Sequence, residues 1–342
     1  MNKLKKIGGE FEIDPNILVG YADYCLPNNQ PYLYSRGRNA LMVILNHLLK
    51  KNKNVIHLPY YICKSVVDTC INANFKIEFY ELDSDFLFPI DYLDKIRNKE
   101  VLLTVNYFGF IDDNLIIKNI KEQRPDIVTI SDQVQSFWTF EKTEADYSFT
   151  SLCKHFATTE GAMINSKNKL LSFDKHLNES SFSSCKFIGG LLKNLKISDE
   201  IYLKFFKEGE EKLNDEKEPT RAAVLSHYLY EQLDLEAIKK KRINNYKIVY
   251  DIGYKIGLRF IFPYDDKVVP LNVPILLNER DKVREKLMNK NIYLPVHWPI
   301  QKYNSKSFFV KNLSNRELSI VIDQRYSTEE IEYQMEQLKS LL

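Results

Sequence analysis

The chain has 342 residues, too many for one ordinary core, so two domains or one large domain with a smaller lobe are expected. Lys and Arg total 48 against 46 Asp and Glu, a formal charge of +2 that provides no single-sign field for tracking a phosphate backbone, and nucleic acid is not an expected partner. Five cysteines without a C-x-x-C or a Cys/His cluster argue against a disulfide framework and a structural zinc. The basic start lacks an apolar stretch behind it and eighteen uncharged apolar residues never run together, so a soluble, cytoplasmic protein with no membrane association is expected.

In chain order, Arg38 to Lys51 reads as an amphipathic helix with Leu41, Ile44, Leu45 and Leu48 on one face. Short β-branched or apolar runs then alternate with helical patterns. The strands are Val55–Leu58, Lys76–Tyr80, Val101–Val105, Asp126–Ser131, Asp146–Ser151 and Gly161–Asn165, and the helices Tyr61–Asn74, Pro89–Asn98 and Asn114–Gln123 fall between the first four. This alternation predicts an α/β fold with a parallel-rich sheet whose ligand crevice lies beyond the carboxyl ends of the strands. Residues 166–220 form a polar, helix-leaning excursion. Its charged stretch Lys207–Glu218 reads as a solvated face or loop with no catalytic role. Arg221 to Ile256 reads as one or two helices bridging to a small α+β lobe that contains Val273–Leu277, a helix Arg280–Lys290, an extended Ile292–Val296, the strand Leu318–Ile322 and a closing helix from Thr328. The division expected is 1–235 for the large domain and 236–342 for the bridging helix and small domain.

Lys154 follows one strand end and Asp132 another, where the crevice is expected. A lysine able to form a Schiff base, downstream of an acid able to hold a pyridinium nitrogen, is the minimal protein contribution to pyridoxal phosphate (PLP) chemistry. Asp132 and Gln135 equally match a helix capping box; in the other reading Gln135 reaches a cofactor's phenolic oxygen from the side of Asp132. Phosphate needs backbone N–H groups at a helix start, which Ser35-Arg36-Gly37-Arg38 offers; Ser35 or Gly37 as an ordinary cap explains the same residues. Ser151, with Ser148 and Thr150 nearby, can add hydroxyls, and Tyr61 or Tyr60 can stack on a ring or simply pack in the core. His47, His57, His176, His227 and His297 are scattered without ligand spacing, so no metal is expected, and His155 should point away from Lys154. G-x-S-x-G, Walker and G-x-G-x-x-G motifs are absent.

Taken together, Ser35-x-Gly37-Arg38-x-Ala40-Leu41, Leu58-Pro59-x-Tyr61-x-Cys63, Asn106-Tyr107-Phe108-Gly109, Ser131-Asp132-x-x-Gln135 and Asp146 through Lys154 resemble the DegT/DnrJ group of PLP-dependent, fold type I sugar aminotransferases. The resemblance is firmest from about residue 30 to 165 and continues more weakly through Arg242-Ile243-Asn244-Asn245-Tyr246 and Ile292 to Trp298. It implies Lys154 as the Schiff-base lysine, Asp132 as the ring-nitrogen partner, Gln135 beside the ring hydroxyl, Gly37, Arg38 and Ser151 around the phosphate, and Tyr61 as a further cofactor contact. It also implies an amino-acid donor, glutamate by resemblance, a nucleotide-linked keto-sugar acceptor in polysaccharide or secondary-metabolite biosynthesis, and a homodimer; Arg221, which begins the long helix, is a candidate contributor to a neighbouring subunit's site. The chain departs from the group's pattern at Arg38, where threonine is frequent, at Phe149, where serine is, and at Thr159-Glu160-Gly161-Ala162, where Gly-Glu-Gly-Gly is. A PLP-dependent dehydratase or lyase and a non-catalytic PLP-binding homologue are the alternatives.

Overall fold

The computed structural model describes residues 6–21, 24, 32–167 and 177–342; Cys25 and His176 lie outside them. Its strands are β1 Ile7–Gly8, β2 Val55–Pro59, β3 Lys76–Tyr80, β4 Val101–Val105, β5 Val128–Asp132, β6 Tyr147–Ser151, β7 Ala162–Ser166, β8 Arg259–Phe260, β9 Val273–Leu276, β10 Ile292–Tyr293 and β11 Glu317–Ile320. The helices are α1 Gly37–Leu49, α2 Lys64–Asn72, α3 Asn114–Gln123, α4 Ser183–Asn194, α5 Asp199–Asp215, α6 Val224–Glu231, α7 Leu235–Lys255, α8 Arg280–Met288, α9 Phe308–Arg316 and α10 Thr328–Lys339.

Strands β2 to β7 make one sheet in the order β3-β2-β4-β5-β6-β7, parallel throughout except for the antiparallel β6–β7 pair. The run Val101–Val105 is buried at every position, as a strand covered on both faces requires. Leu41, Ile44, Leu45 and Leu48, spaced at helical period, turn one side of α1 into this core, and α1 packs over β6 and β7. The stretch read as a helix over Pro89–Asn98 is a short 3₁₀ segment, Ile90–Lys95, because the proline before it and the buried Leu93 and Ile96 leave little room for more.

The excursion after β7 folds into α4 and α5, which pack on each other, so the charged stretch is the second half of a helix rather than a loop: Leu213 and Gly209 face inward while Lys207 and Glu211 stay in solvent. Strands β8, β9 and β11 form an antiparallel three-stranded sheet whose core is shared with α7, α8 and α10. Two cores result. They meet where Val310 and Leu313 of α9 join the core of the large sheet. Among the described residues no helix is long and apolar enough to cross a membrane.

Candidate active site

Asp132 is the last residue of β5 and lies opposite Val105 of β4 and Phe149 of β6, so the parallel register carries it to the carboxyl edge of the sheet. Its side chain is buried, and Oδ1 accepts the Val134 N–H at 3.0 Å. No capping box with Gln135 forms, since the next helical turn starts only at Phe137. Instead Gln135 Oε1 accepts the Phe108 N–H at 2.7 Å, leaving its amide nitrogen as the donor. That contact pins the Tyr107–Phe108–Gly109 turn, where Gly109 has φ +84° and an added Cβ would come within 2.9 Å of the Gln135 carbonyl. Burial raises the Asp132 carboxyl to about 7; Asp113 pushes it the same way, while the Val134 N–H and the Lys154 charge oppose.

Lys154 ends the short 3₁₀ turn Leu152–Lys154 that follows β6, and its ammonium has no hydrogen bond or ion pair among the described residues. His155 is turned away, as expected: it is fully buried, Nε2 donates to the Val134 carbonyl at 3.1 Å, and burial lowers its pKa to about 3. Alternation along β6 puts Phe149 and Ser151 on one side, whereas Thr150 donates from the other to the Gln133 carbonyl at 2.9 Å.

Lys154, Asp132, Gln135, Gly37, Arg38 and Ser151 all line one cavity of about 300 Å³. Tyr61 does not. Its hydroxyl donates to the His297 carbonyl and its ring stacks on Tyr107 with centroids 5.5 Å apart, so it serves the core. Tyr60 stacks on Phe79. The aromatic wall is Trp298, against which Tyr61 packs at 5.0 Å.

At the other end of the cavity, α1 begins without a side-chain cap. Ser35, one possible cap by sequence, bonds Thr220 at 2.6 Å, and Arg36 occupies the cap position in an extended conformation. A Cβ on Gly37 would meet Val134 at 3.1 Å, which is why the helix start can lie this close to the sheet edge. Uncapped N–H groups, the half-buried Arg36 and Arg38, and the Ser151 hydroxyl beside Cys153 Sγ at 3.2 Å make a cradle suited to an anion. With Asp132 at the far end and Val105, Val134 and Trp298 as walls, the residues present fit PLP.

Sequence reasoning missed Arg36, Cys153, Glu210, His297 and Trp298 as cavity residues. Arg36 reaches the Cys153 sulfur and lies over the Phe182 ring at 4.9 Å, and only its place beside Gly37 signalled it. Glu210, within the charged stretch, pairs with Lys186 across the α4–α5 contact. Arg221 pairs with Glu179 at 2.7 Å, and it does not line this cavity. No group of three or more metal-binding side chains occurs among the described residues.

No family model and no curated protein matches the chain. Its structure, however, is similar to many solved ones. Spr1654 of Streptococcus pneumoniae in a PLP form shares 14% identity at a TM-score of 0.66, covering 98% of this chain and 93% of that one. PseC of Helicobacter pylori, an aminotransferase involved in the biosynthesis of pseudoaminic acid, shares 12% identity at a TM-score of 0.66 over 98% of this chain and 99% of the other. A DegT DnrJ EryC1 StrS aminotransferase from Brucella abortus shares 12% at 0.63 over 97% and 91%. The likeness runs over nearly the whole of each chain, so this chain has the PLP-dependent transferase fold, type I, shared with these aminotransferase structures.

Proposed function

We propose that the protein is a PLP-dependent aminotransferase that moves an amino group from an amino acid, glutamate in the simplest case, to a nucleotide-linked keto-sugar, working as a cytoplasmic homodimer. The observation that carries this reading is the meeting of Lys154, Asp132 and the uncapped start of α1 in one cavity. Likeness of fold to aminotransferases that act in sugar biosynthesis supports the substrate class.

In this reading the Gly37 and Arg38 N–H groups, Arg38 and the Ser151 hydroxyl hold the cofactor's phosphate. Asp132 would hold its ring nitrogen, a charge-assisted contact of about 1.5–3 kcal/mol that would favour the ionised carboxylate. Gln135 presents its amide nitrogen to the ring hydroxyl. Trp298 and Val134 shield the ring faces from water. When bound, PLP supplies an electron sink for the charge left by a departing α-proton. Lys154 is the residue that would hold the cofactor's aldehyde carbon, and its Nζ, when free, would take the proton from the donor's α-carbon and return one, serving as base and acid at a single position. His155 takes no part, since burial keeps it neutral behind the cavity wall.

The test begins with purified protein and PLP. A visible absorption band, fixed by borohydride reduction onto the peptide carrying Lys154 and bleached by L-glutamate, is expected. Incubation with glutamate and nucleotide keto-sugars should then give an aminated sugar by mass analysis. A band that forms identically on Lys154→Ala, or sugar turnover without donor consumption, overturns the assignment.

A further inference from the structure

Cys153, one residue before Lys154, borders both the main cavity and a separate small pocket of about 20 Å³, room for one oxygen the size of a water. The pocket lies between residues 157–159, the start of α1 and the inner faces of α4 and α5. Most of its polar groups are already paired. Lys186 is taken by Glu210 and by Glu10, the latter at 3.5 Å, and Thr159 Oγ1 by the hydroxyls of Ser183 and Ser226, each at 2.9 Å. Two donors stay without a partner among the described residues: Arg36 Nε and the hydroxyl of Thr158, a residue only 6% exposed. Buried donors left unpaired are costly, so the pocket favours whatever brings an oxygen acceptor into it.

The sulfur on its border has the surroundings of a reactive cysteine. Arg36 Nη1 donates to Cys153 Sγ at 2.6 Å and Ser151 Oγ lies at 3.2 Å, an electropositive, half-buried setting in which cysteines act as nucleophiles. Cys63 supplies the contrast within the same main cavity. It is half-buried like Cys153, but the hydrogen-bond partner of its sulfur is the Ser65 hydroxyl, at 3.1 Å.

We infer that Cys153 is a site of oxidation by hydrogen peroxide to a sulfenic acid, whose oxygen seats in the small pocket against Thr158 and Arg36. The sulfur attacks one peroxide oxygen and the O–O bond breaks; the thiol proton leaves with the departing hydroxide as water, and the two electrons lost by sulfur are those gained by the peroxide. The new oxygen accepts the Thr158 hydroxyl and the free Arg36 N–H, which draws toward itself the guanidinium that borders the cradle. This last consequence rests on the PLP reading of the main cavity: a cation turned from the phosphate leaves the oxidised protein with a weaker hold on the cofactor.

Protein without added PLP is treated with hydrogen peroxide in the presence of dimedone, which traps sulfenic acids, and the labelled peptides are quantified by mass spectrometry. Cys153 should label at least about tenfold faster than Cys63. Thr158→Val keeps the side chain's shape without the donor and should lower the Cys153 label by about threefold or more, whereas Thr158→Ser should label as wild type does. Cys63 labelling as fast as Cys153, or a folded Val variant that labels like wild type, overturns the inference; the Cys63 comparison is made in wild type and decides by itself if the Val variant does not fold. Protein oxidised without dimedone should bind PLP about fivefold less tightly or worse, and dithiothreitol should restore it. A labelled Cys153 with unchanged PLP affinity overturns the link to the cradle. Reduced protein that binds no PLP at all sinks the cofactor reading alone, because the dimedone label is read without cofactor.

Discussion

The two sides of the candidate site are built differently. The sheet side offers Asp132, Gln135, Ser151 and Lys154 at or just past two neighbouring strand ends, within a span of 23 residues, with Asp132 held in the parallel ladder and Ser151 paired with Ala162 of β7. The facing side is assembled from α5 and the segment around His297 and Trp298, far apart in the chain. Rigid strand ends fix atoms to the accuracy that proton transfer needs, whereas packed helices and loops set shape and charge for what binds. Chemistry should therefore fail when the first side is changed, and affinity when the second is.

The largest expected effect is that of Lys154→Ala, which removes the proton carrier and should lower transfer by at least about 10³-fold with PLP still binding noncovalently; single-turnover kinetics with L-glutamate measure it, and a loss under tenfold would erase the contrast. Asp132→Asn should follow with a fall of about 10²-fold, together with a change in pH behaviour. The folded-state pKa of Asp132, about 7, lies above its unfolded value near 4, so its contribution to stability is fully present below about pH 4 and disappears as pH rises through 7. Cofactor-free wild type should thus lose thermal stability between pH 5 and 8, on the order of 2 kcal/mol, and the Asn variant should lose less. Melting curves at the two pH values decide this.

Across the cavity, Trp298→Ala should weaken PLP about tenfold by opening a ring face to water, with the proton-transfer step changed less than binding; an equilibrium titration against stopped-flow bleaching separates the two. Gly37→Ala is the mildest. The new methyl meets Val134 at 3.1 Å, and a shift of a few tenths of an ångström should cost about 1 kcal/mol of stability and several-fold in PLP affinity. An alanine variant binding PLP as tightly as wild type would place the phosphate elsewhere than the start of α1.

The sheet side was legible in sequence for the reason that makes it rigid. Buried strands need unbroken β-branched runs, so Val101–Val105 and Ile127–Ile130 announce themselves, and a carboxylate and an amine just past such runs fall at the crevice by topology. The facing side gave no such signal. Glu210 sits in a run whose composition reads as solvated, yet helical periodicity turns Leu213 inward and Glu210 toward Lys186. His297 looked like a scattered histidine, but Glu317, buried on β11, accepts its backbone N–H at 2.6 Å and fixes the segment that walls the cavity. Tyr61 shows the converse error: an aromatic after a strand end suits a stacking role, and only the contact with the His297 carbonyl assigns it to the core.

Local pattern alone thus determined the alternating α/β architecture, the positions of Asp132 and Lys154 at strand ends, and the outward turn of His155, because strand burial and backbone alternation are encoded within a few residues. Tertiary structure alone decided that Trp298 and not Tyr61 walls the cavity, and that Arg36 stands where a cap was expected and reaches the Cys153 sulfur. Those outcomes depend on which distant segments share a surface, and charge or ring contacts between segments a hundred residues apart leave no periodic trace in either one.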